Sequence, residues 1–280
     1  MSERSGGSFL KRTAIFLVES TLFVALAPLA MTSATIALTQ NPFSLQLILL
    51  PFFACMLIYS SNRITDREED AINMPDRVRF PHHLRIILLV VSLIFYVVLL
   101  AIIAQKNLLT SAIGILPLIV AFTYSVLRLK RVFILKNILI AAACSASVLI
   151  VPAYYENWTG IWMLLFPFFF LLVLLNTIVF DIKDVRGDSM FGIRTLPLRF
   201  GIRATKYFCY SLLAIAVILL VTLVSINHGS ILLIPCVCTI AIYTHFVPEE
   251  EHFPWWYFGV LVDGEFLVLL FSVFLMMIII

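Results

Sequence analysis

Apolar residues in this chain come in long runs bounded by charges, Pro, Asn or Gly, the pattern of buried or membrane-embedded helices. The runs predict nine helices, over roughly 13–38, 43–66, 84–104, 108–127, 132–154, 160–182, 205–226, 230–247 and 255–279. Most reach the ~20 residues that cross a hydrocarbon core. The expectation is an all-α membrane protein with nine transmembrane helices. No linker or low-complexity segment divides it, so residues 1–280 read as a single transmembrane domain, with 1–12 a short tail. Lys11-Arg12 before an apolar run imitates a secretory signal, but no short apolar stretch with a cleavage site follows, so the run reads as the first span.

Composition agrees. Of 280 residues 62% are hydrophobic and only 12% charged, against about 25% charged in ordinary soluble domains, which excludes a soluble fold. The net charge is +3 and no Lys/Arg block alternates with aromatics, so nucleic acid is not an expected partner. The five cysteines (Cys55, Cys144, Cys209, Cys236, Cys238) lie in apolar runs without metal-ligand spacing and read as small hydrophobes.

The few charges are unevenly placed. The connections near Gln40-Asn41, Lys106, Glu156 and His228 are nearly uncharged, whereas the others hold 18 of the 19 Lys and Arg, Lys106 being the exception. The positive-inside bias then puts the N-terminus and the basic loops in the cytoplasm. Ile280 falls on the opposite face, and in a prokaryote the membrane would be the plasma membrane.

Two acidic clusters fall on the cytoplasmic side. The second helix ends at Asn62, Asp66 and Asp70, which stack on one helical face. The sixth runs into Asp181, Asp184 and Asp188, again on one face. Carboxylates one turn apart repel, more so where the dielectric falls, which favours a cation between them. Oxygen-only donors suit Mg²⁺, which keeps waters and shares itself with phosphate. The plainer alternative is solvated charge at a cytoplasmic helix end; the pairing, matched spacing and common side favour the site. Between the clusters lie Tyr124, Arg128 and Lys130, the first two spaced to share a helical face. Arg131 and Lys136 are explained by topology alone.

At these residues the chain resembles the UbiA superfamily of intramembrane prenyltransferases. Asn62-xxx-Asp66-xxx-Asp70 followed by Ile72-Asn73-x-Pro75-x-Arg77 is similar to the family's first motif. Asp181-Ile-x-Asp184-Val-x-Gly187-Asp188-xxx-Gly192-Ile-x-Thr195-Leu-Pro197-xxx-Gly201 is similar to its second, and Tyr124 to Lys130 with Leu135-Lys136-Asn137 resembles its third conserved loop. The resemblance implies a ring of nine transmembrane helices around a lipid-accessible cavity, capped by polar loops at its cytoplasmic end. It implies Mg²⁺-dependent ionisation of an allylic isoprenyl diphosphate and transfer to an aromatic or other lipophilic acceptor, with membrane lipids around it. Asn62, Asp66, Asp70, Asp184 and Asp188 would hold the diphosphate through Mg²⁺, with Asp181 helping. Arg77, Arg128 and Lys130 would contact diphosphate oxygens, and Tyr124 would place it.

Departures bear on the acceptor. Arg63 stands where many members have Asp, Asn176 and Phe180 where many place Arg and a basic or polar residue, and Val78-Arg79-Phe80-Pro81 replaces a Pro-Ser/Thr-Gly. Ether-lipid prenylation or terpene cyclisation would use the same ionisation. From another class, a cation-coupled transporter would explain acids in helices, although such groups usually lie near the midplane. Glu19, Asp263 and Glu265 are embedded acids, candidates either for acceptor orientation or for hydrogen-bonded structural roles.

Overall fold

A computed structural model describes residues 16, 20–65, 67–68, 72, 80–126, 132–247 and 257–279. The described residues contain nine apolar helical spans: α1 (Leu22–Leu38), α2 (Leu45–Thr65), α3 (His82–Lys106), α4 (Leu108–Val126), α5 (Leu135–Tyr155), α6 (Trp162–Met190), α7 (Leu196–Ile226), α8 (His228–Phe246) and α9 (Tyr257–Ile279). Seven are long and apolar enough to cross a membrane outright, with α1 and α4 the shorter two. The chain is a multi-pass membrane protein.

Successive spans pack side by side in chain order and α9 closes against α1, so the helices form a ring. The outward faces are apolar: Ile86, Ile87, Val90 and Ile94 of α3 are exposed, as are Ile218 and Val221 of α7. Such a surface is stable only against lipid. By contrast α6 is apolar nearly all round and is largely buried, with Leu165, Phe168, Phe169, Leu175 and Ile178 at its core. Small residues Ala27, Ala30 and Ala34 let α1 pack closely. The Thr32 and Thr35 hydroxyls of α1 donate to the carbonyls of Pro28 and Met31, satisfying themselves inside the helix.

Besides α1, which begins at Leu22 after a left-handed Thr21 (φ 67°) and not at 13, two boundaries differ from the sequence reading. α6 continues to Met190 instead of ending near 182, so its acids ride on helix rather than on a loop. α7 begins at Leu196, about two turns early, because Pro197 fits a first helical turn and the segment resumes helix beyond a break at Gly201 (φ 81°, ψ 164°).

Several helix irregularities gather in one place. Pro28 of α1, Pro51 of α2, Pro117 of α4 and the 3₁₀ turn Ala146–Val148 of α5 all border one internal cavity. Each proline removes an intrahelical N–H and crowds the preceding turn. The Val24 carbonyl left free by Pro28 accepts from the Cys55 thiol at 3.8 Å. The space between the cavity walls measures about 1160 Å³, its open mouth included. On α2 its lining runs from Asn62 to Leu50, about 18 Å at 1.5 Å per residue.

The ends of the bundle differ. α5 starts beside the last turns of α6 and finishes roughly 28 Å away, where Tyr154 and Tyr155 meet the end of α3. There the Lys106 ammonium sits 3.9 Å from the Tyr154 ring centre and 5.6 Å from that of Tyr155. Gln46 donates to the Tyr154 hydroxyl at 2.9 Å, and Tyr155 donates to the Pro42 carbonyl. The one Lys outside the basic loops is thus held on aromatic faces.

Candidate active site

A helix of 29 residues is about 43 Å long and outruns a ~30 Å hydrocarbon core. If Trp162 lies at one edge, Asp181 lies near the other, and the last turns of α6 project beyond. The end is fixed by its cap. Gly192, at φ 67°, reverses the chain, so that Ile193 donates to the Asp188 carbonyl at 2.9 Å and Gly192 to that of Ser189 at 3.4 Å. This is a Schellman closure, and its left-handed position favours glycine. The spacing from Asp188 to Gly192 is therefore a structural requirement that holds the acid in place.

α5 runs antiparallel to α6 and brings its first turn to these acids. Lys136 Nζ lies 2.8 Å from Asp181 Oδ1 and 3.3 Å from Asp188 Oδ2. Asn137 Nδ2 donates to Asp181 Oδ2 at 3.0 Å. Both oxygens of buried Asp181 are thus taken by protein donors, and the positive end of the α5 dipole points the same way. Lys136, explained from sequence by topology alone, is corrected here: it is a nearly buried cation shared by two buried carboxylates. Its neighbourhood in the third conserved loop was the only sequence signal.

Asp184 is the more open acid, its side chain 26% exposed, with Lys183 Nζ at 3.5 Å. That ammonium also faces the rings of Phe180 at 4.8 Å and Phe258 at 5.5 Å. Among the described residues these three carboxylates face two ammonium groups, an imbalance that a further cation or a proton would relieve. Among the described residues no group of three His, Cys, Asp or Glu could hold a metal unaided. An ion here needs further oxygens, from the first acidic cluster or a bound phosphate, which fits the Mg²⁺ habit of sharing ligands with substrate.

Of the other predicted site residues, Asn62 lies in the last turn of α2 and lines the cavity. Tyr124 lies in the last turn of α4. Asp66, Asp70, Arg77, Arg128 and Lys130 lie outside the described residues, as does Glu19. The structure therefore brings together Asp181, Asp184 and Asp188 and places Asn62 at the cavity wall.

A second polar cluster lies deeper. Asn176 lines the cavity two turns before Asp184, and its amide nitrogen donates to Glu265 Oε1 at 3.1 Å and to the Val262 carbonyl at 3.5 Å. Tyr243 donates to Glu265 Oε2 at 2.6 Å. All three side chains are buried. Glu265 opens the regular part of α9 after a π turn, and Gly264 permits that junction because a Cβ there would meet the Val260 carbonyl oxygen at 2.2 Å. Glu265 is thus a hydrogen-bonded acid, one of the two roles open from sequence. Tyr243 carried no sequence signal.

The profile of the UbiA prenyltransferase family matches residues 20–247. A curated relative, digeranylgeranylglyceryl phosphate synthase of Sulfurisphaera tokodaii, is 27% identical over 177 residues, covering 57% of this chain and 58% of that protein. The chain thus matches little more than half the length of that relative. Among solved structures, the apo UbiA homolog from Aeropyrum pernix K1 superposes with a TM-score of 0.68 at 16% identity, over 92% of this chain and 98% of that one. A UbiA homolog from Archaeoglobus fulgidus bound to GPP and Mg²⁺ superposes with a TM-score of 0.66 at 17% identity, over 94% and 100%. These likenesses establish the helical fold.

Proposed function

The chain belongs to the UbiA prenyltransferase family, and on that premise we propose that it transfers an isoprenyl group from an isoprenyl diphosphate to a lipophilic acceptor within the membrane. The observation that carries the reading is an apolar cavity whose wall on α2 runs about 18 Å from Asn62 to Leu50, with the acid-bearing last turns of α6 continuing beyond its wall residue Asn176. That pairing suits a molecule with a polyanionic head and a hydrocarbon tail.

In this reading Asp184 and Asp188, with Asn62, Asp66 and Asp70, hold Mg²⁺ and through it the diphosphate. The ion supplies charge neutralisation to the leaving group. Asp181, its oxygens committed to Lys136 and Asn137, fixes the first turn of α5 against α6. Arg77, Arg128 and Lys130 contact diphosphate oxygens, and Tyr124 places the head group. The bond between C1 and the diphosphate oxygen breaks with its electron pair leaving on oxygen. The acceptor oxygen bonds to C1, and its proton passes to the released diphosphate. Apolar walls keep water from the allylic cation.

The acceptor we favour within the aromatic or other lipophilic class that the resemblance implies is a glycerol-type ether lipid bearing a free hydroxyl, in keeping with the name of the Sulfurisphaera relative. The single domain faces the cytoplasm with its acid end, following the basic loops. Purified protein in lipid nanodiscs, given geranylgeranyl diphosphate and Mg²⁺ with or without a geranylgeranylglyceryl phosphate acceptor, should release diphosphate and yield the diether by mass. A hydrocarbon formed without acceptor would indicate cyclisation. No diphosphate release with any acceptor, hydroxybenzoates included, would overturn the transferase reading.

A further inference from the structure

Asn176 is a polar side chain in an apolar wall, and its surroundings fix which way it faces. Its NH₂ is the only side-chain donor group it has, and that group lies within donor distance of Glu265 Oε1 and of the Val262 carbonyl, the latter of which can only accept. The amide orientation is therefore dictated by its partners, and what remains for the cavity is the carbonyl oxygen Oδ1. Glu265 is itself held on its other oxygen by Tyr243. The result is a chain of three buried groups ending in an acceptor atom at the cavity wall.

Asn176 sits about 12 Å along α6 from Asp184, below the acids and above the cavity floor at Leu50 and Gly114. Ser147, on the 3₁₀ break of α5, lines the same cavity, and its buried Oγ has no hydrogen-bond partner. An unsatisfied buried hydroxyl is costly and is commonly completed by a ligand or water.

Resting on the prenyl-transfer reading, we propose that Asn176 is the acceptor-positioning residue: its Oδ1 receives the hydrogen bond of the acceptor's nucleophilic hydroxyl, with Glu265 and Tyr243 holding the amide in that orientation. A fixed carbonyl oxygen selects acceptors that donate a hydrogen bond and disfavours an anion such as a carboxylate or phenolate. Donation to Oδ1 also leaves the hydroxyl's lone pairs free to face C1.

The test uses binding, which does not depend on turnover. Displacement of radiolabelled geranylgeranylglyceryl phosphate from the purified full chain is measured with that lipid and with its deoxy analogue lacking the free hydroxyl. In the unaltered protein the hydroxyl lipid should bind about tenfold more tightly, the worth of one hydrogen bond. In Asn176→Leu the ratio should fall below about twofold, whereas Asn176→Asp assayed at low pH, where its carboxyl keeps a carbonyl oxygen, should restore part of it. Tyr243→Phe and Glu265→Gln, which loosen the support, should lower the ratio partway while leaving the affinity for geranylgeranyl diphosphate within about twofold. A ratio near one in the unaltered protein, or a ratio unchanged in Asn176→Leu, overturns the proposal. Should Asn176→Leu fail to fold, an unchanged ratio in both supporting variants overturns it. A protein that shows the ratio but never releases diphosphate would instead refute the transferase reading.

Discussion

Two lysines, about a membrane's hydrocarbon thickness apart, are accommodated in opposite ways. Lys136 is nearly buried between Asp181 and Asp188, whereas Lys106 is exposed and rests on the rings of Tyr154 and Tyr155. The first arrangement is a set of mutual obligations: taking away the cation leaves two buried carboxylates without compensation. The second obliges nothing, because an aromatic face left without its cation is still a satisfied apolar surface. Charge that is conditional on a partner marks the end of the bundle where a further ion is expected, and charge that is merely tolerated marks the other.

The sharpest way to break the comparison is Lys136→Met, which should destabilise the protein by about 3–5 kcal/mol, measured as thermal unfolding in detergent. Adding Asp181→Asn to it should recover part of the loss, since one stranded carboxylate disappears. A Lys136→Met protein as stable as the parent would show that the acid cluster needs no internal cation. Next, Asp184→Asn should reduce Mg²⁺-dependent diphosphate release by about 10²–10³-fold, the scale of losing one electrostatic contact to a developing charge. Its stability should stay near that of the parent, because Asp184 is partly exposed and is not shared with Lys136. Equal loss of stability in both variants would erase the distinction between a structural and a reacting acid.

At the other end the effects shrink. Lys106→Met should cost only ~0.5–1 kcal/mol and leave turnover unchanged; a larger loss would mean that this lysine, too, is conditional. Of similar size is Tyr155→Phe, which removes the hydrogen bond to the Pro42 carbonyl and should cost about 1 kcal/mol by chemical denaturation.

Much of the fold can be read from runs of apolar residues, because a lipid-facing helix needs only length and hydropathy. Boundaries failed where other forces act. The last turns of α6 hold Lys183, Asp184, Arg186 and Asp188, so hydropathy ends the helix near 182, whereas backbone hydrogen bonds and the Gly192 cap carry it to Met190. The spacing of Asp181, Asp184 and Asp188 did reveal a common face, since that follows from helical period alone. That Lys136 would meet them did not, because the contact joins residues 45 and 52 positions apart on antiparallel helices.

Composition and periodicity determined the membrane solvent, the nine apolar spans, the asymmetry of basic loops and the identity of the acid cluster, since each depends on local chemistry repeated along the chain. Only the tertiary structure decided that Asp181 has both oxygens committed, that Asp188 shares one oxygen with Lys136 and that Asp184 stays open, and that prolines from three helices border one cavity. It alone placed Asn176 at the cavity wall with Tyr243 and Glu265 behind it. The reason is that burial and hydrogen-bond partnership belong to pairs of residues distant in sequence, and a buried polar group must find its partner wherever packing puts one.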